Sequence, residues 1–153
     1  MTVLNLPIPP EVKMIYLDNG ATSFPKPQSV YERMDTFYRS AGVNPGRSGF
    51  DLCLEAGALV DDTRHLLCDF FGGTDPNRLV FGYNSTDALN LAIWGSLSPG
   101  DHVVTTDLEH NSVSRPLVAL AEAGHITLTR VPADAGGTVD PDAVTAALTP
   151  ATR

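Results

Sequence analysis

"DHVVTTDLEHNSVSRPLVALAEAGHITLTRVP", residues 101 to 132, holds the alternation that decides the fold. "DHVVTTD" is a short run of β-branched residues and reads as a strand; "HITLTRVP" reads as a second one. Between them, "SVSRPLVALAEAG" places apolar residues at helical spacing. Two strands joined through a helix with short connections make a βαβ unit, whose strands run parallel. Toward the N-terminus the alternation continues, with "RLVFGY" read as a buried strand and "TDALNLAIWGSL" as a helix. Toward the C-terminus "DPDAVTAAL" reads as another helix. The expected class is therefore α/β, a mainly parallel sheet with helices on both faces. The chain stops at "TPATR", after a helix that would lead into a further strand. An open parallel edge exposes backbone donors and acceptors, so a missing or separate C-terminal part is expected to complete the sheet.

The first half of the chain is more helical. A helix is expected from about Gln28 to Ser40, entered through the prolines at 25 and 27, followed by the loop "AGVNPGRSG". A longer helix is expected from Asp51 to Phe71, with Leu52, Ala56, Leu59, Val60, Thr63, Leu66, Leu67 and Phe70 on one face. Residues 1–15 read as an extended arm, and residues 16–153 as the first part of one large domain.

Composition narrows the function. The 153 residues are 42% hydrophobic and 18% charged, enough to bury a core, and the net charge of −8 argues against nucleic-acid or anionic-membrane partners. No stretch approaches the roughly 20 apolar residues of a membrane span. The opening "MTVLNLPIPPEVKM" has neither the basic segment nor the unbroken apolar run of a signal peptide. Cys53 and Cys68 lack metal-ligand spacing and read as core residues in a reducing, cytoplasmic setting.

In parallel α/β sheets, ligands bind where each strand hands over to its helix. Two polar turns occupy that rim. "NSTD" (residues 84–87) opens a helix with hydroxyls at Ser85 and Thr86. Free amides at a helix start, a favourable macrodipole and two hydroxyl donors suit a phosphate; the same residue types also serve as plain helix caps. "LEHNS" (residues 108–112) puts the imidazole of His110 just past a strand end. It could stack on a flat ring, relay a proton, or serve only the loop. Neighbouring strands lie about 4.8 Å apart, so consecutive turns can address one ligand of cofactor size. Glu109 beside His110 does not make a hydrolase, because no nucleophile elbow is present, and His65, His102 and His125 lack ligand spacing.

Four segments in order, "YLDNGATSFPKP", "NPGRSG", "NSTDALNLA" and "GDHVVTTDLEHNSVSRPL", resemble the N-terminal part of cysteine desulfurases and selenocysteine lyases. These belong to the class V aminotransferase family of PLP fold type I enzymes. The resemblance runs from about Ile15 to the end. It implies the first part of the large PLP-binding domain, with pyridoxal 5′-phosphate (PLP) as cofactor. Ser85 and Thr86 would bind its phosphate. His110 would stack on its pyridine ring and act catalytically on protons. The "DNGAT" loop, with Asn19, Gly20 and Ala21, would lie beside an amino-acid substrate.

The chain also departs from the family. Phe50 stands where a histidine is common, and Gly20 where alanine is usual. Its two lysines, Lys13 and Lys26, both lie in the N-terminal region, whereas the family's PLP lysine lies well beyond residue 153. The acidic partner of the pyridine nitrogen, the arginine for the substrate carboxylate and the sulfur-accepting cysteine belong to that same later part. The expectation is the N-terminal half of a cysteine desulfurase-like enzyme. A C-terminal-half polypeptide or missing part would supply the lysine, and such assemblies would form a dimer. Alternatives are transamination, another β-elimination, or a non-catalytic subunit that uses the fold for assembly. Arg47 in "NPGRSG" could reach a carboxylate or a neighbouring subunit, or simply be solvated.

Overall fold

A computed structural model describes residues 15–46 and 49–153. The N-terminal arm with Lys13, and Arg47, lie outside the described residues. The chain forms two compact units, Met1–Asn77 and Arg78–Arg153.

In the first unit, α1 (Gln28–Ala41) packs on α2 (Asp51–Phe70). Pro27 is the N-cap of α1, and its fixed φ of −52° suits a chain turning into a helix. On α2 the buried residues are Cys53, Ala56 and Cys68. Leu66 and Phe70, expected on the buried face, are 70% and 79% exposed. Periodicity marks an apolar stripe, and among the described residues α1, packed on α2, covers only part of it. Both cysteines are buried and free, consistent with their reading as core residues.

The second unit contains α3 (Ser85–Ser96), β1 (His102–Thr106), α4 (Asn111–Glu122), β2 (Thr127–Val131) and α5 (Pro141–Ala147). β1 and β2 pair in parallel from His102↔Thr127 through Thr106↔Val131, which is the expected βαβ unit with α4 as its crossover. Leu117 and Leu120 of α4 join Ile126 in the buried core, with Ile93, Leu97, Val103, Val113 and Leu128 packed around them. These residues come from α3, α4 and the sheet, so one core fixes both helix N-termini relative to the strands. Gly124, at φ 69°, ends α4 in the left-handed region, where a side chain is disfavoured, and lets the His125 N–H reach the Leu120 carbonyl at 2.9 Å.

The last residues make a further parallel contact. His102 N–H donates to Ala151 O at 2.9 Å and Arg153 N–H to His102 O at 3.0 Å, on a bridge between His102 and Thr152. His102 itself is buried, with Nε2 2.8 Å from Thr129 Oγ1 and Nδ1 2.8 Å from Thr152 Oγ1. Its role is to tie β1 to β2 and to the C-terminal turn.

One expected element is different. "RLVFGY" forms no strand: Pro76–Arg78 is a short 3-10 turn and residues 79–82 have no regular structure. Val80 is 68% exposed and Tyr83 98%. Apolar, β-branched composition favours a strand but does not by itself fix one, because strand propensity depends on context. Among the described residues the sheet pairs β1 with β2.

Candidate functional site

The turn into α3 assigns its polar residues to distinct tasks. Asn84 is the N-cap: its backbone is extended, at φ −165° and ψ 175°, and its Oδ1 accepts from the Asp87 N–H at 2.9 Å. Asp87 answers with Oδ2, which accepts from the Tyr83 N–H at 3.1 Å. The pair resembles a capping box, except that the acid reaches the N–H of the residue before the cap, and it places the acidic side chain in the first turn where the macrodipole favours it. The cap is therefore complete without Ser85 or Thr86. Both are exposed, and among the described residues neither hydroxyl is engaged. Of the two uses open to this turn from sequence, capping belongs to Asn84. Asn84, Thr86, Asp87 and Asn90 line an open concavity of about 590 Å³.

The second turn follows β1. Thr106 Oγ1 accepts from the Leu108 N–H and donates to Glu109 Oε1, each at 3.3 Å, which holds the turn and engages Glu109 locally. His110 comes next and is the N-cap of α4, its Nδ1 accepting from the Ser112 N–H at 3.1 Å. Ser112 Oγ lies 2.8 Å from the same nitrogen. His110 is exposed while Ser112 is buried, so a fixed base holds an accessible ring.

Two residues not singled out from sequence connect these turns. Asn90 Nδ2 donates to Thr86 O at 2.8 Å and to Ser112 O at 3.2 Å. The second bond has a cause in the sequence of α4. Pro116 lies inside that helix and has no N–H for the carbonyl four residues back, which is that of Ser112. Asn90 occupies the acceptor that the proline leaves over. Thr86, Asn90, Ser112 and His110 thus form one chain of contacts across α3 and α4.

The "DNGAT" loop belongs to the first unit and is exposed. Its turn is closed by the Ala21 N–H on Asp18 O at 3.1 Å. Asn19 Oδ1 accepts from the Phe24 N–H at 3.3 Å, and Tyr16 Oη donates to Asp18 O and Thr22 O. No atom lies within 4 Å of a Cβ built on Gly20, so alanine would fit there without crowding. Lys26 is engaged in the same loop, donating from Nζ to Thr22 Oγ1 at 3.1 Å and Ser23 O at 2.9 Å. Phe50 is half exposed at the N-cap of α2.

Among the described residues no group of three or more His, Cys, Asp or Glu side chains is placed to hold a metal ion, and no helix is long and apolar enough to cross a membrane.

Residues 15–153 match the family described as aminotransferase class-V. The chain belongs to the class-V aminotransferase family. Its relatives include a probable cysteine desulfurase of Halobacterium salinarum, 34% identical over 140 residues, and one of Methanothermobacter thermautotrophicus, 31% identical over 140 residues. These alignments cover 89% and 91% of this chain but 34% of each relative, so the chain spans about a third of their length. Among solved structures, the apo cysteine desulfurase of Thermococcus onnurineus NA1 superposes with a TM-score of 0.73 at 32% identity, over 84% of this chain and 32% of that one. A mutant C-DES with glycine covalently linked to its PLP cofactor superposes with a TM-score of 0.65 at 27% identity, again over a third of its chain. The α/β fold of this class-V family member is that of the first part of PLP fold type I enzymes.

Proposed function

We propose that the chain is the N-terminal part of a PLP-dependent cysteine desulfurase-like enzyme, with its PLP-binding surface at the starts of α3 and α4. The observation that carries this reading is the division of labour at residues 84–87. Asn84 and Asp87 cap α3 between them, and this leaves the Ser85 and Thr86 hydroxyls for another partner. A helix N-terminus with two spare hydroxyls fits the phosphate of PLP in charge and in donor count. An exposed imidazole at the adjoining turn, engaged through Nδ1, fits its ring. Family membership and the cysteine desulfurase relatives support the same cofactor.

When bound, PLP supplies an electron-accepting ring that loosens bonds at a substrate amino acid's Cα, and through it at Cβ. The residues of this chain would do the rest of the work on this side of the site. Ser85 and Thr86 would hold the phosphate with their hydroxyls and first-turn amides. His110 would stack on the ring and would hold a proton for the substrate. Asn19, Gly20 and Ala21 are proposed to border the amino-acid substrate. The reaction is C–S cleavage of cysteine or a related amino acid.

The lysine that holds PLP covalently is proposed to come from a C-terminal part, supplied by a second polypeptide or by more of the same protein, with the assemblies forming dimers in the cytoplasm. The chain's length relative to its relatives supports this, as do large apolar side chains on α3, where Leu91 and Trp94 are 61% and 56% exposed. The test combines this chain with the matching C-terminal part and PLP. The expected result is a PLP absorption band that responds to cysteine, with sulfide released after addition of a reductant. An assembly that folds but shows neither the band nor the release would end this reading.

A further inference from the structure

We infer that Ser112 is a positioning residue for His110: it presents the ring as the tautomer with its proton on Nε2, and Asn90 locks that presentation to the phosphate turn. The inference deepens the PLP reading and rests on it for the meaning of the tautomer, though not for its existence.

A neutral imidazole carries one proton, on Nδ1 or on Nε2, and the hydrogen bonds of one nitrogen decide the state of the other. Here the deciding bond comes from the backbone. The Ser112 N–H can only donate, and it donates to His110 Nδ1 at 3.1 Å. Nδ1 must therefore present its lone pair. The Ser112 hydroxyl, 2.8 Å from the same nitrogen, can donate as well and reinforces that state. The proton is then on Nε2, which makes no hydrogen bond among the described residues. Toward a ligand, neutral His110 offers a donor.

The bracket is rigid because Ser112 is rigid. Ser112 is 7% exposed, and its carbonyl, freed by Pro116, is held by Asn90 Nδ2 at 3.2 Å. The same Asn90 nitrogen holds Thr86 O at 2.8 Å. One amide group therefore fixes the separation between the start of α3 and the residue that orients His110. A ring meant only to cap α4 would not need this link to α3. A ring that must meet a ligand anchored at Ser85 and Thr86 would.

The experiment is nitrogen NMR of the assembled protein with 15N-labelled histidine, in alkaline buffer where imidazole is neutral, with His110 assigned by loss of its signals in His110→Gln. The expected result is an unprotonated Nδ1 and a protonated Nε2, with or without PLP, so failure of the cofactor reading is seen separately. Ser112→Ala keeps the backbone donor but loses the hydroxyl, and the ratio of the two tautomers should fall about two- to tenfold, one hydrogen bond's worth. Ser112→Thr should restore it. In the PLP-loaded assembly Ser112→Ala should also shift the PLP band. A proton on Nδ1 in the wild type overturns the assignment. A Ser112→Ala protein that melts earlier but keeps the wild-type tautomer ratio and PLP band would show that Ser112 serves only the fold.

Discussion

Replacing Ser85 and Thr86 together with alanine separates phosphate binding from helix capping. Both side chains are exposed at the first two positions of α3, and the cap is made by Asn84 and Asp87. Removing the two hydroxyls therefore breaks no hydrogen bond among the described residues. Alanine is also the better helix former, so the change in folding stability should stay within about 0.5 kcal/mol. Binding is another matter. A hydrogen bond to a charged group is worth about 1.5–3 kcal/mol, and two such bonds together correspond to about 10²- to 10⁴-fold in affinity. The control is Asn84→Ala, which removes the cap and should cost about 1 kcal/mol of stability while leaving both hydroxyls for PLP. The assay is a PLP titration followed by absorbance, alongside urea unfolding of each variant in the assembled protein. The reasoning is refuted by the inverse pattern, with Ser85→Ala/Thr86→Ala unfolding early and PLP affinity unchanged.

Other outcomes follow from the same geometry. His110→Ala in the complete assembly should keep most of its PLP, losing about fivefold in affinity, while turnover falls about 10²- to 10⁴-fold; wild-type turnover would reduce His110 to a cap. Asn90→Ala leaves the Ser112 carbonyl without its side-chain donor and should cost about 1–2 kcal/mol in urea unfolding, whereas Pro116→Ala in the same background should recover part of it by restoring a helical N–H; no recovery would argue against the proline as the cause. Leu120→Ala opens the core shared by α3, α4 and the sheet and should cost about 2–5 kcal/mol, read by thermal unfolding. His102→Ala removes the link from β1 to Thr129 and Thr152 and should speed proteolytic cutting near residues 149–153 before it affects PLP binding; unchanged cutting would count against the tie.

Along the chain, only what local physics controls is legible. α1, α2 and the β1–α4–β2 unit form where apolar spacing, proline entry and glycine exit place them, because those signals act within a turn or two of chain. The ordered motifs were equally legible, since a family resemblance is read along the chain, and it led to the same family that matches residues 15–153. Tertiary structure decided the rest. Asn84, Ser85 and Thr86 are all good capping residues, and only the place where α3 begins makes Asn84 the cap and leaves two hydroxyls over. "RLVFGY" has strand composition, but among the described residues the sheet pairs β1 with β2 and residues 79–82 have no regular structure. The partnership of Asn90 with Ser112 spans 22 residues and depends on how α3 packs against α4. Pro116 announces a spare carbonyl at Ser112 to anyone counting back four residues. Which donor takes it is a fact of three dimensions, because a hydrogen bond has a reach of about 3 Å and the sequence carries no distances.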